Sequence, residues 1–156
     1  LLDLLAYRNK GESYITPMIS EIDKSIPLFF DRLKDPILMG LSANYGSINE
    51  EAIYPRELPD FFKGRAVEIF GRFDPAKDKE LAMQLTGVAA AQKKEMIVKA
   101  NLTEAEKGDK TIAKGWAFQR IYHLIGEICR VGETPALLGQ LRELSRQYGV
   151  KTSYDE

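Results

Sequence analysis

The chain carries one cysteine, Cys129, and one histidine, His123, in 156 residues. A lone cysteine excludes an internal disulfide and any multi-cysteine metal site, and leaves the compartment open. No G-x-S-x-G, H-E-x-x-H, Walker glycine-lysine loop or Cys-x-x-Cys occurs, so the common hydrolase, metalloprotease and nucleotide motifs are missing. Lys plus Arg total 22 against 23 Asp plus Glu, for a net charge of −1. Without a basic excess to neutralise a phosphate backbone, nucleic acid is not an expected partner. No apolar run approaches the roughly 20 residues of a spanning helix, so no membrane span is expected in this segment. What remains is ordinary globular composition, 44% hydrophobic and 29% charged, enough for one domain or a domain with a subdomain.

Three zones follow along the chain. Residues 1–34 read as helical: after a break at Gly11, Thr16 and Pro17 offer a cap and a first helical position. Ile19, Ile22, Ile26, Phe29, Phe30 and Leu33 then recur at helical spacing, with a kink expected at Pro27. Residues 37–103 change to a period of two. Ile37, Met39, Leu41, Ala43 and Tyr45 form one face of a first strand. Val67, Ile69, Gly71 and Phe73 form a second, Leu81, Met83 and Leu85 a third, and Met96, Val98, Ala100 and Leu102 a fourth. Four such runs predict an antiparallel sheet with one buried face. The intervening loop "GSINEEAIYPRELPDFFKG" is expected to be held to the core by Ile53, Tyr54, Leu58, Phe61 and Phe62.

Residues 110–148 return to helical spacing. Ala113, Ala117, Ile121, Leu124 and Ile128 form one stripe, and Phe118, Tyr122, Ile125 and Cys129 a second, which predicts a helix covered on two sides. Gly132 ends it, Thr134 and Pro135 start another helix, and Gly149 stops that one.

Little in this pattern nominates chemistry. His123 shares its helix face with Gln119, Arg120, Glu127 and Arg130, which predicts a solvated histidine rather than a triad member. Cys129 reads as a small core residue. Asp74-Pro-Ala-Lys-Asp78 lacks the alternating ligands and glycine of a calcium loop. "NLT" at 101–103 is a glycosylation sequon, relevant only to a eukaryotic secreted protein. The opening "LLDLLAYRNK" starts without Met or a signal pattern, which points to a piece of a longer protein with Leu1, Leu2, Leu4 and Leu5 presenting an apolar, self-associating surface.

Several stretches, in order, resemble the region that follows the von Willebrand factor type A (vWA) domain in proteins built like inter-alpha-trypsin inhibitor heavy chains, including bacterial relatives. "YPRELPDFFKGRAVEIFGRF" (54–73) is similar to Tyr-Pro, then Leu-Pro-Asp-Leu-Phe-x-Gly, then a strand ending Gly-Arg-Tyr. "LTGV" (85–88) resembles the next strand's Leu-x-Gly, and "WAFQRIYHL" (116–124) resembles Trp-Ala-x-x-Arg-Ile-x-x-Leu. "LRELSRQYGVKTSY" (141–154) resembles a segment ending Leu-Ser-x-x-Tyr-Gly-x-x-Thr. "LLDLLA" resembles the exit of the vWA domain, and "DPILMGLSANYG" the Asp-Pro-Val-Leu strand after it. One departure stands at the end: the family continues Thr-Pro-Tyr-Thr-Ser, whereas Thr152 is followed by Ser153-Tyr154-Asp155-Glu156.

The resemblance implies a non-catalytic accessory region supporting a vWA adhesion or interaction module, in an extracellular, periplasmic or cell-surface protein. No cofactor is expected in this fragment; a divalent metal would belong to the vWA domain, whose Asp-x-Ser-x-Ser is not present. Partners would be that domain and other parts of the same chain. The expected fold is α+β: a helical exit segment (1–35), an antiparallel β region (36–109) and a C-terminal helical hairpin and tail (110–156), with 36–156 as one unit. Phe61 and Phe62 are expected to pin a turn in which Gly64 supplies an unusual backbone angle. Gly71 should permit a bend or the close approach of Trp116 or another large group, and Arg72 should reach a carboxylate or carbonyl. Arg120 joins them as an interaction candidate. Trp116 is expected to fix the long helix onto a sheet face of Met39, Ile69, Met83 and Val98. The rival expectation is an independent small-molecule or peptide-binding domain with a pocket near Tyr45, Phe70 and Trp116.

Overall fold

The computed structural model describes residues 2–106 and 108–155, so Leu1 and Glu156 lie outside the described residues. The elements are α1 (Leu2–Arg8), α2 (Ile22–Leu33), β1 (Pro36–Asn44), β2 (Ile53–Tyr54), β3 (Phe61–Phe62), β4 (Phe70–Gly71), β5 (Glu80–Ala89), β6 (Gln92–Asn101), α3 (Lys110–Val131) and α4 (Pro135–Tyr148). The fold is mixed α+β, with N-terminal helix, a four-stranded antiparallel sheet and two C-terminal helices. No helix among the described residues is long and apolar enough to cross a membrane.

Two compact units interleave along the chain. The first comprises Leu1–Ser47, Glu57–Glu68 and Leu81–Ala100; the second comprises Ile48–Arg56, Ile69–Glu80 and Asn101–Glu156. The division between these units runs across the expected segments 1–35, 36–109 and 110–156 rather than along their ends. Strand pairing, which joins segments distant in sequence, sets the division instead.

In the first unit the sheet order is β3-β1-β5-β6. Phe61–Phe62, expected as part of a turn, supplies the fourth strand by pairing with β1. The expected strand over 67–73 is reduced to Phe70–Gly71, which pairs with Ile53–Tyr54 and not with the four-stranded sheet. Gly40, at φ +60, bulges β1 and shifts its register against β5 between Met39 and Ser42. A one-residue insertion exchanges the two faces of a strand. Leu38 is buried before the bulge and Leu41 and Tyr45 after it, while Ile37 and Met39, expected inside, are exposed.

The helical segment of this unit also departs from its pattern. Thr16 does not cap a helix: its hydroxyl donates to the Met18 carbonyl at 3.1 Å, and α2 starts only at Ile22. Pro27 lies inside α2 without splitting it; it sits on the exposed side, where water can satisfy the Asp23 carbonyl that lacks its usual partner. Only Ile22, Phe29 and Leu33 of the expected stripe are half-buried, whereas Ile19, Ile26 and Phe30 are exposed. On α1, Leu4 is buried while Leu2 and Leu5 are exposed.

The second unit packs α3 and α4 against the two-stranded β2–β4 ribbon. Its core joins Tyr54, Trp116, Ala117, Ile121, Leu141 and Leu144. The caps fall where expected: Thr134 accepts from the Leu137 N–H, Gly132 ends α3 at φ +89, and Gly149 ends α4 in the left-handed region. The second stripe of α3 does not seek cover on its own side. Phe118 and Cys129 are exposed while Tyr122 and Ile125 are half-buried, so Cys129 is not a core residue and the second stripe is covered only in part.

Candidate functional site

Two places gather distinctive side chains, one in each unit. In the second unit, Trp116 is 3% exposed near the start of α3. Its Nε1 donates to the Ala52 carbonyl at 2.8 Å, which satisfies the one polar atom that burial would otherwise strand. The Tyr54 ring meets it edge-on at 6.0 Å, and the Tyr148 ring tilts against it at 6.1 Å. The Arg72 guanidinium lies 3.9 Å from the indole centroid and the Arg120 guanidinium 5.3 Å. Arg72 also donates to the Tyr148 hydroxyl, and Arg56 lies over Tyr54 at 4.9 Å. Each such cation–π contact stabilises by roughly 0.5–2 kcal/mol, and each aromatic pair by about 0.5–1.5 kcal/mol beyond its burial.

This cluster brings together Arg72, Trp116 and Arg120 of the expected residues, with Gly71 beside them. Arg72 thus uses two aromatic partners rather than a carboxylate or carbonyl. Trp116 holds α3 to the β2–β4 ribbon and to α4; Met39 and Val98, offered as its platform, are exposed members of the other unit. The close approach expected at Gly71 occurs there with Ile53, 3.4 Å from a notional Cβ, rather than with Trp116. A tighter one falls at Gly115, where a Cβ would stand 2.7 Å from Cε1 of Phe70. Sequence reading missed Gly115, although an isolated glycine inside a helical pattern was the available signal. His123 is half-buried with its ring 5.7 Å from Tyr54, so it does not sit on a solvated face.

In the first unit, a cleft of about 300 Å³ is lined by residues 10–12, 33, 59, 60, 62 and 65–67, two of which bond to β1 at its bulge. The Gly40 N–H donates to Asp60 Oδ1 at 2.6 Å, and Lys10 Nζ donates to the Leu41 carbonyl at 3.1 Å. Asp60 and Lys10 both line the cleft, beside Glu12, Arg65, Leu33 and Phe62. Glu12 bridges Arg65 and, at 3.3 Å, Arg32. Phe61 and Phe62 are half-buried in β3, and Gly64 follows at φ +76, as the turn required. Asp60, Lys10 and Glu12 were not singled out beforehand, since only the bulge makes them neighbours. Tyr45, Phe70 and Trp116, offered as a pocket, do not line this cleft; Tyr45 belongs to the first unit and the other two to the second.

The remaining candidates are spent locally. Asp78 Oδ2 accepts from the Asp74 N–H at 2.7 Å, and Asp74 Oδ1 accepts from the Ala76 N–H at 2.9 Å, which makes a closed turn. Asn101 Oδ1 accepts from the Thr103 N–H and hydroxyl. No protein-family model matches this chain, and no curated protein matches it at a significant level.

Proposed function

We propose that the chain is a non-catalytic accessory region that supports and orients a vWA module in a larger extracellular, periplasmic or cell-surface protein. The observation that carries this reading is where the residues of the resembling motifs go. Tyr54 and Arg72 come from the 54–73 stretch, Trp116 and Arg120 from 116–124, and Tyr148 from 141–154; all five meet in the Trp116 cluster. Motif side chains that satisfy one another hold a scaffold together and leave little for a substrate. Leu2 and Leu5 offer exposed apolar surface of the kind a neighbouring domain covers. Any divalent metal would belong to the vWA module. The test is the parent reading frame: it should encode an Asp-x-Ser-x-Ser module ahead of Leu1, and that module, made separately, should bind this chain. A frame without it overturns the proposal.

A second reading, small-molecule or peptide binding, is favoured by the cleft of the first unit, whose volume is at the lower end for ligand sites. Amide chemical-shift changes confined to Lys10, Glu12, Asp60 and Arg65 during a fragment screen would support it; shifts scattered over the surface would remove it.

A further inference from the structure

The strand β6 lies at the end of the four-stranded sheet, and all ten of its residues are exposed. A long exposed edge strand presents a row of unpaired backbone donors and acceptors, a template for another strand. We propose that β6 pairs antiparallel with β6 of a second copy of this chain, about a two-fold axis at Ile97, so that two four-stranded sheets become one.

The backbone limits the register first. β5 and β6 are joined through Ala90 and Ala91, both at positive φ, a two-residue hairpin turn. In such a hairpin the flanking residues, Ala89 and Gln92, exchange both backbone bonds. Even-numbered residues of β6 therefore turn their N–H and C=O groups toward β5. The Leu102 N–H, which donates to the Lys79 carbonyl at 2.9 Å, keeps the same alternation just past the strand. Lys93, Glu95, Ile97 and Lys99 point their backbone groups outward. Pairing with a second copy must match outward residues with outward residues, which excludes every register that sets odd against even.

Charge then chooses among those left. With the axis at Ile97, each Glu95 faces Lys99 of the second copy, twice by symmetry, and Met96 faces Val98. Shifting the axis to Met96 sets Lys93 against Lys99. Shifting it to Val98 sets Lys99 against Ile97 and leaves Glu95 opposite Asn101. Opposite charges directly across a ladder stabilise it and like charges oppose it. The same axis places Ile97, 60% exposed on a face otherwise made of Lys93, Glu95 and Lys99, against its own copy. Edge lysines ordinarily discourage pairing; here the Ile97 axis sets no lysine against another, whereas the Met96 axis opposes Lys93 to Lys99 and a Lys94 axis opposes Lys94 to itself. The interface is isologous and closes at two copies.

Charge reversal tests this by sedimentation equilibrium on the whole chain. The parent should show a concentration-dependent monomer–dimer equilibrium. Glu95→Lys alone, or Lys99→Glu alone, should raise the dimer dissociation constant at least about tenfold, because two attractive pairs become two repulsive ones. The double variant, and a one-to-one mixture of the two single variants, should recover it. Amide exchange of Gln92 and Lys94 in each variant checks that the β5–β6 hairpin is intact; a variant without it is replaced by Lys99→Gln, for which a smaller rise is expected. A parent that stays monomeric at every concentration, or a dimer that ignores the reversals, or a double variant and mixture that both fail to recover it, overturns the proposal.

Discussion

The guanidinium carbon of Arg72 lies over the indole of Trp116, 3.9 Å from the ring centroid, while the group donates to the hydroxyl of Tyr148. One side chain from the ribbon thereby ties both C-terminal helices. A guanidinium suits this better than an ammonium, because it is planar, less strongly hydrated and offers donors in its own plane. Arg72→Lys should lower stability by about 1 kcal/mol in urea titration, since it keeps charge but loses the stacked plane. Equal stability would show that only the charge matters.

Trp116→Ala should cost about 3–5 kcal/mol, from lost burial and the cavity left behind. That is much of the roughly 5–15 kcal/mol a domain has in total. Trp116→Phe should retain the fold: the Ala52 carbonyl loses the indole donor but keeps the Arg72 N–H at 3.2 Å. Calorimetry that places the alanine variant within 1 kcal/mol of the parent would refute the packing role.

Gly115→Ala sets two effects against each other. Helix propensity favours alanine by about 1 kcal/mol. The new Cβ would meet the Phe70 ring at 2.7 Å, closer than contacts allow, and displacing a packed ring costs about 1–3 kcal/mol. Overpacking should win, giving a lower denaturation midpoint. A stabilised variant would mean that Phe70 moves freely.

The hairpin turn of Ala90 and Ala91 places two side chains at positive φ. Asn-Gly is the pair such turns prefer. Ala90→Asn combined with Ala91→Gly should raise stability by about 1–2 kcal/mol. Thermal unfolding reads this directly, and an unchanged midpoint would count against that turn geometry.

Asp155 is held below the ordinary carboxylate range, first by a hydrogen bond from Ser145 and then by the Thr152 N–H. A carboxylate whose folded pKa is depressed stabilises the fold above its unfolded pKa, and that stabilisation is lost as pH falls through the folded one. Asp155→Asn should flatten the stability profile as pH falls below the unfolded carboxylate value of about 4 and change little near neutrality beyond a constant offset. Urea midpoints across that range check it.

His123→Ala tests the corrected helix face. With its ring against Tyr54, the loss should be about 1 kcal/mol, above the 0.5 kcal/mol or so of a surface change. A smaller loss would return His123 to a solvated role.

What the sequence disclosed is what local chemistry decides. Thr134 with Pro135, Gly132 and Gly149 mark helix ends through bonds to their immediate neighbours, so their letters suffice. Gly64 was legible as a turn residue, but the two phenylalanines after Asp60 read as part of that corner and instead form β3 against β1. The faces of β1 were not, since Gly40 exchanges them midway and its bulge is stabilised by Asp60, twenty residues on. Cys129 misled for a related reason. Periodicity shows that a helix has two apolar stripes, and only its partners decide which stripe is covered.

The interleaving of the two units has a consequence for synthesis on the ribosome. The chain passes from one unit to the other five times, and the last passage lies between residues 100 and 101. Once residue 100 has emerged from the ribosome, every segment of the first unit is outside, and its sheet can close. Tyr54 and Phe70 have also emerged, yet the helices that will cover them have not. A nascent chain held at that stage carries a finished sheet and an unfinished ribbon with its aromatic residues in water, the state on which chaperones act.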